Sequence, residues 1–272
     1  MDIKIRLLER YEEFKAGEGL QRRVWGMTGD LEVIPLHLLL SAQRNGALVL
    51  GAFDDKVLIG LLFGYLGRTQ AGSLKHCSHL MCVAPEAQGR GVGRHLKLAQ
   101  REFALAQGCE LVTWTYDPLE SRNANLNIHK LGAVCHTYYR DYYGPMEDGL
   151  NRGLPSDRFQ VDWWIGSDRV RARASGSPET RLVPDGETLL AEMQGQRLLP
   201  PGPAVASTSS SRLWVEIPAN FQQIRASDPA LAMMWRLATR RVFEDHFAAG
   251  FTVTDLARCE GRCFYLLAKE NE

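Results

Sequence analysis

Residues Val83–Arg94 read VAPEAQGRGVGR, and this stretch decides how the first part of the chain folds. A strand-like apolar run ends at Val83, and a run with helical spacing follows three glycines that fall within five residues. The first amides of a helix have no partner inside it, and the helix dipole adds partial positive charge there. Strand, glycine turn and helix start therefore predict a phosphate-binding turn, to which Arg90 and Arg94 add charge.

The composition is that of an ordinary globular protein with no charge excess. The chain has 272 residues, 45% of them hydrophobic, and its 32 basic and 32 acidic side chains cancel. Nucleic-acid and polybasic membrane partners rely on positive excess, so neither class is expected. No apolar run approaches the roughly 20 residues of a membrane span, and the N-terminus lacks the apolar core of a signal peptide. A cytoplasmic protein is the expectation.

Six cysteines lie in strand-like surroundings and are predicted to be buried thiols in a reducing compartment. Four nearby residues, His76, Cys77, His79 and Cys82, suggest a metal site. Side chains alternate between the faces of a strand, which puts His76 and Cys82 opposite Cys77 and His79. Because four ligands on two faces cannot share one tetrahedral ion, no metal is predicted.

Hydrophobic spacing predicts a mixed α/β fold, an α+β mixed sheet with helices on both faces. Strands are expected at 3–8, 47–53, 57–66, 74–83, 111–116, 133–139 and 159–165, and helices at 11–25, 35–43, 92–107 and 121–131. Strands joined by short polar turns are antiparallel, whereas the strand-helix-strand units are parallel.

The remainder of the chain is predicted to differ from this first part. Residues 169–211 are rich in proline and serine and are interpreted as a loose connection with one short helix at 187–194. Residues 212–272 return to order as a strand, a long helix and two strands, a small α/β unit. The predicted domains are therefore 1–168, the connection, and 212–272.

Two other interpretations of the glycine turn fit the sequence less well. A tight strand-to-helix turn needs glycine for geometry alone, but three glycines and two arginines exceed that need. A dinucleotide fold wants G-x-G-x-x-G and an acidic residue about 20 positions on, a place that Asp117 could fill. The spacing here is Gly89-x-Gly91-x-Gly93, and consecutive antiparallel strands precede it, which disfavours that fold.

The turn resembles motif A of the GNAT superfamily of acyl-CoA-dependent N-acyltransferases, R/Q-x-x-G-x-G/A, met by Gln88, Gly91 and Gly93. The predicted element order from 3 to 165 matches the same family. Within it, the chain is similar to an uncharacterised group with the stretch WTYDPLESRNA, here Trp114–Ala124. The resemblance implies a GNAT fold followed by a C-terminal strand-helix-strand extension.

The resemblance also implies the cofactor and its contacts. The cofactor is acetyl-CoA or another acyl-CoA, succinyl-CoA included. Three sets of residues would bind it: the turn amides of Gly89, Arg90, Gly91, Val92, Gly93 and Arg94 beside Gln88; the main chain of Met81, Cys82 and Val83; and the side chain of Asn123. The first set would hold the pyrophosphate and the second the pantetheine arm.

Catalysis requires an amine to attack a thioester, which calls for a base, an oxyanion donor and a departing thiolate. His79 stands where arylalkylamine-type members of the family have a catalytic histidine, although a core histidine remains the alternative. The amide of Val83 is the expected oxyanion donor. Many members carry a tyrosine as acid where this chain has Ile128; unassisted departure of the thiolate or a substitute remains open, the candidates being Tyr116, Tyr138, Tyr139 and His129.

The sequence thus predicts an N-acyltransferase acting on a small-molecule amine, with amino acids as the first candidates. Arg122, Arg140 or Arg158 could pair with a carboxylate. Because Ile128 removes the usual acid, a non-catalytic CoA-binding or regulatory protein is the alternative. The C-terminal unit could be a partial second copy of the fold's later half or a dimerisation element.

Overall fold

The computed structural model describes residues 3–26, 33–146, 149, 153–176, 182–194, 197–202 and 210–269. Its contacts divide the chain into two compact units, 1–114 with 147–150 and 164–167, and 115–146 with 151–163 and 168–272. This division differs from the boundaries expected at 168 and 212, which stay a prediction.

The first unit contains the elements on either side of the glycine turn. They are β1 (Ile3–Leu7), α1 (Tyr11–Trp25), α2 (Leu36–Arg44), β2 (Leu48–Asp54), β3 (Val57–Arg68), β4 (Leu74–Val83), a 3-10 turn (Pro85–Ala87), α3 (Val92–Ala106) and most of β5 (Leu111–Tyr116). Helices and strands follow the predicted order, because the apolar residues recur at helical spacing in the helices and form near-continuous runs in β2 and β3.

The sheet of this unit has the order β1-β2-β3-β4-β5. Neighbours from β1 to β4 are antiparallel, and β5 runs parallel to β4. Gly17 of α1 lies against Leu61 of β3. The adjacent residue of the same strand, Gly60, lies against Val92 of α3. Adjacent strand residues point to opposite faces, so α1 and α3 cover opposite faces, and the predicted mixed sheet is confirmed.

A β-bulge on β4 corrects the predicted alternation of its side chains. Pairing with β3 passes from Phe63–Leu80 directly to Gly64–Ser78, which leaves His79 as the extra residue. Cys77 and Cys82 lie opposite Tyr65 and Leu61, so they share a face. The expectation that His76 and Cys82 share a face is therefore wrong, because a bulge shifts the alternation by one residue.

The second unit contains the remaining elements. They are α4 (Ser121–Ala124) with a π turn (Asn125–Lys130), β6 (Val134–Tyr139), β7 (Arg158–Trp164), α5 (Asp168–Ala174), β8 (Thr188–Leu189), β9 (Glu192–Gln194), β10 (Arg197–Leu199), β11 (Arg212–Ile217), α6 (Phe221–Ser227), α7 (Pro229–Ala248), β12 (Phe251–Cys259) and β13 (Arg262–Lys269). Strands β7-β6-β12-β13-β11-β8 are neighbours in that order, and β9 pairs with β10.

Aromatic packing joins α7 to this second sheet. The ring of Phe243 on α7 lies 4.7 Å from that of Phe159 on β7 and 5.6 Å from that of Tyr265 on β13. Edge-to-face ring pairs at such distances add to the burial of apolar area. The C-terminal helix is thus part of a core that includes β7.

Two predicted helices take other forms. The helix expected at 187–194 is wrong: Thr188 and Leu189 instead pair in parallel with Trp214 and Val215 of β11. Glutamate, leucine, methionine and glutamine favour helix locally, but strand pairing overrides that weak preference. The helix expected at 121–131 is one α turn continued by a π turn.

Candidate functional site

The glycine turn has a backbone that only glycine adopts readily. Gly89 and Gly91 have φ of 80° and 81°, in the left-handed region. Gly91 is the N-cap of α3 and supplies no side-chain cap, so the amides of the first helical turn point out of the helix end. An anion is the partner that such amides and the helix dipole favour.

Two side chains of the turn are held by neighbours. The amide nitrogen of Gln88 donates to the carbonyl of Val83 at 3.2 Å and ties the turn to the end of β4. The guanidinium of Arg90 pairs with Asp54 at 3.2 Å. The end of β4 and the glycine turn are thus linked in the first unit, and the side chain of Arg90 is engaged by Asp54.

Strand β4 is paired on both sides for only part of its length. Its pairs with β5 are His76–Val112 and Cys77–Thr113, whereas its pairs with β3 continue to Val83. Between Ser78 and Val83 no pair of described residues joins β4 to β5. Main-chain groups on that side of β4 are available to an extended ligand arm.

The ring of His79 belongs to the extra residue of the β-bulge in β4. It is exposed and lies 5.9 Å from the ring of Phe63 and 6.0 Å from that of Tyr65. The protein around it removes part of its water shell and lowers its pKa. A neutral imidazole can accept a proton at neutral pH. Because the side chain is exposed, His79 is not a core histidine, which was the alternative. Nearby Cys82 is buried, which raises the pKa of its thiol to about 12 and leaves it protonated.

One buried polar side chain that packs beneath β4 was not predicted from the sequence. Lys97 on α3 is 1% exposed; its Nζ donates to Ser78 Oγ at 2.8 Å and to Gln100 Oε1 at 3.2 Å, and lies 3.6 Å from the ring centre of Trp114. Burial lowers the pKa of Lys97 well below its usual value. Helical spacing does predict burial at this position, since it places Lys97 on the same stripe of α3 as Leu96 and Gln100.

Asn123 and Ile128 belong to the second unit. Asn123 is exposed on α4, and Ile128 is fully buried in the π turn. An aliphatic side chain donates no proton, so position 128 supplies no acid. No structural observation tests the predicted contact between Asn123 and a cofactor, so this contact stays a prediction.

The four substitute acids are all engaged in the second unit. Tyr116 bonds to the hydroxyl of Tyr265 at 3.0 Å, which itself donates to the carbonyl of Pro118. Tyr138 donates to Asp157 at 2.6 Å and Tyr139 to Gln160 at 3.0 Å. Burial raises the pKa of Tyr116 and of Tyr138. His129 is buried, and its ring is bonded to Asp255 at 2.8 Å.

The arginines proposed for a carboxylate differ in availability. Arg140 holds Glu244 in a double hydrogen bond, with both distances 2.6 Å. Arg158 is buried, donates to the carbonyl of Asp157 and lies over the ring of Tyr143. Arg122 is exposed on α4. Arg122 therefore remains a candidate.

Within the described residues, no three His, Cys, Asp or Glu side chains are grouped as metal ligands would be. None of the helices in the same residues is long and apolar enough to cross a membrane. All six cysteines are free thiols.

Comparison with known proteins gives one family match. Residues 9–133 match the model of the acetyltransferase (GNAT) family. No curated protein matches the chain. Similar solved structures include a GNAT-family acetyltransferase from Streptococcus pneumoniae (16% identity, 61% of this chain and 100% of that chain, TM-score 0.49) and the ribosomal-protein-S18-alanine N-acetyltransferase of Escherichia coli (15%, 61% and 96%, 0.46). A putative acetyltransferase from Salmonella typhimurium with its cofactor acetyl-CoA is similar over 61% of this chain and 96% of its own (15%, 0.47).

Proposed function

We propose that the protein is an acyl-CoA-dependent N-acyltransferase whose acceptor is the amine of a small molecule, an amino acid in the first instance. The match of residues 9–133 to the acetyltransferase (GNAT) family supports the reaction class. The donor is acetyl-CoA or succinyl-CoA. Arg122, exposed on α4, is the proposed partner of an acceptor carboxylate.

One observation carries the cofactor assignment: the left-handed glycine pair at the start of α3 follows, after one 3-10 turn, a strand whose last residues, from Ser78 to Val83, have no described pair with β5. Amides from Gly89 to Arg94 would hold the pyrophosphate, because unpartnered amides and the helix dipole favour anions. Met81, Cys82 and Val83 would pair with the pantetheine arm through main-chain groups on the β5 side of β4. Asn123 is the proposed further contact.

The bound acyl-CoA would supply an activated thioester carbonyl. His79 would take the proton from the attacking amine, since its lowered pKa keeps the ring neutral at neutral pH. The amide of Val83 would donate to the carbonyl oxygen as it gains negative charge. Both groups lie on one strand, four residues apart.

We propose that the thiolate leaves without a protein acid. Ile128 donates no proton, and Tyr116, Tyr138 and Tyr139 all bond to other groups. An ordinary thiol has a pKa of about 8.5, so its anion is an adequate leaving group near neutral pH. This step needs no substitute for the missing tyrosine.

The test is thiol release measured with acetyl-CoA and succinyl-CoA against free amino acids, polyamines and short peptides with a free N-terminus. We expect turnover with free amino acids. Turnover on peptides alone would replace the small-molecule acceptor by a protein one. Tight CoA binding with no turnover on any amine would support the rival, a non-catalytic CoA-binding or regulatory protein, which the engaged tyrosines and Ile128 favour.

Six free thiols fit a reducing compartment, and we propose the cytoplasm as the location.

A further inference from the structure

Strand β3 carries an aromatic surface that emerges from beneath α1. Leu61 is fully buried and lies against Gly17 of α1. Side chains two and four positions further along a strand lie on the same face, so Phe63 and Tyr65 continue this surface. Phe63 is 6% exposed and Tyr65 is 41% exposed, so the cover over this face ends between them. Tyr65 is therefore a large aromatic side chain on this face that solvent reaches.

The ring of His79 completes this surface. As the extra residue of the bulge in β4, His79 lies beside β3, with its ring 5.9 Å from that of Phe63 and 6.0 Å from that of Tyr65. The rings of Phe63 and Tyr65 are themselves 5.9 Å apart. We call Phe63, Tyr65 and His79 the aromatic trio. Its ring centres form a nearly equilateral triangle of one buried and two exposed rings.

The described surroundings of the aromatic trio are neutral. Loss of water lowers the pKa of His79, and no charge on a described residue is among the causes of that shift. Directly opposite residues of paired strands share a face. Leu80 lies opposite Phe63, and Cys77 lies opposite Tyr65. A second charge on a ligand would therefore lose water beside these side chains without gaining a partner among them.

The position of the proposed base limits where an acceptor can lie. A general base takes its proton from a group within about 3 Å, so the acceptor amine must contact the imidazole of His79. Aromatic rings pack with centroids about 4.5–7 Å apart, so a ring bound on the trio lies within that range of Tyr65. The imidazole and the phenol ring are 6.0 Å apart, so one small molecule reaches both when about two carbon atoms, with bonds of about 1.5 Å, separate its amine from its ring.

We propose that the aromatic trio binds the side chain of the acceptor and selects amines that carry an aromatic ring, aromatic amino acids among them. This inference rests on the proposed acyltransferase function and on His79 as the base. Tyr65 is the specificity-determining residue, because its exposed ring is the one that an acceptor ring can cover. Burial of that ring favours phenylalanine over alanine as an acceptor. Lysine and polyamines are disfavoured, since a second ammonium has no described carboxylate beside the trio.

The experiment measures kcat/KM by thiol release, with acetyl-CoA or succinyl-CoA as donor, for phenylalanine, leucine, alanine and lysine, which differ only in the side chain. The wild-type protein should prefer phenylalanine to alanine by about 10-fold or more, the effect of burying one such ring. Tyr65→Ala should lower this ratio by about 5-fold or more, whereas Tyr65→Phe should keep it, since the ring and not the hydroxyl makes the contact. The control Tyr11→Ala, at an exposed tyrosine of α1, should leave the ratio unchanged.

A phenylalanine-to-alanine ratio near one, equal rates with leucine and phenylalanine, or a preference for lysine would overturn the inference. So would an unchanged ratio in Tyr65→Ala. In each of these cases thiol release itself would leave the proposed function standing. Absence of thiol release with every amine would remove both. If Tyr65→Ala does not fold, Tyr65→Leu takes its place, because it keeps an apolar side chain in the strand and removes the ring.

Discussion

The guanidinium of Arg236 binds both carboxylate oxygens of Asp117, 119 positions away in the chain. Asp117 directly follows β5, and Arg236 lies in α7; the side chain of Arg236 is 2% exposed. The same carboxylate accepts from the amide of Leu119 at 2.9 Å. The aspartate of the WTYDPLESRNA stretch is thus held by a residue of the C-terminal helix.

Removing one partner of this pair should destabilise the fold strongly. Arg236→Met leaves a carboxylate without its cation, and we expect the free energy of unfolding to fall by about 3–5 kcal/mol. The double variant with Asp117→Asn should recover part of that loss. Arg241→Met on the same helix, where an exposed ion pair with Asp245 spans 3.7 Å, should cost less than about 1 kcal/mol. Urea unfolding measures all three; equal losses in the two single variants would contradict the role of the pair.

The glycine turn was predictable because its causes are local. Left-handed backbone, helix start and strand end all lie within twelve residues, and glycine is the residue that permits them. The pair of Asp117 and Arg236 was not predictable, since nothing near either residue indicates the other. The buried contact of His129 was not predictable for the same reason: its partner, Asp255, is 126 positions away.

Gly91→Val should abolish CoA binding beyond its effect on stability. Valine in the left-handed region costs about 1–2 kcal/mol and turns the helix-start amides away from the pyrophosphate. Gly72→Val is the matched control, since Gly72 has φ of 84° in the turn between β3 and β4 and open space around it. Thermal unfolding and CoA titration together give the answer. Similar losses of stability with an unchanged CoA affinity in Gly91→Val would contradict the anion-binding turn.

His79→Ala should lower kcat/KM by about 100-fold or more at pH 7, in the range of general-base contributions. The wild-type rate should fall on the acidic side only below pH 6.5, because the base loses its function when protonated and its pKa is lowered. In His79→Ala that acidic limb should disappear. His37→Ala, an exposed histidine of α2, serves as control. A pH–rate profile with the limb intact in His79→Ala would assign the base elsewhere.

The buried imidazole of His76 should make the unliganded protein less stable in acid. Its pKa is about 4 when folded against an ordinary 6.5, so between those values the unfolded chain binds a proton that the folded one refuses. Stability from this group is complete above pH 6.5 and declines as pH falls toward 4, by about 3 kcal/mol in all. Urea unfolding at pH 8 and 5 should show a smaller difference in His76→Leu than in the wild type. An unchanged difference in His76→Leu, or an equal reduction in His37→Leu, would refute this cause.

The bulge at His79 marks a limit of sequence reasoning about this site. Alternation along β4 was predicted from the strand itself, whereas a bulge depends on the register with the neighbouring strand. The identity of the candidate residues could be predicted from the sequence. The direction of their side chains could not, because it depends on how β3 pairs with β4. Lys97 shows a related limit: helical spacing places it on the buried stripe of α3, whereas its contacts with Ser78 and Trp114 depend on how β4 and β5 pack against that helix.

Strand β4 is an interior strand as far as Cys77 and, among the described pairs, a sheet edge from Ser78 to Val83. Sheet edges attract other chains, and proteins usually blunt them with charge, proline or short length. Here the edge carries an apolar run, Leu80-Met81-Cys82-Val83, and ends just before Pro85. A ligand arm that pairs with these main-chain groups would also take the place of a neighbouring strand. Bound cofactor would then reduce the tendency of the protein to self-associate through this edge, in addition to its role in the reaction.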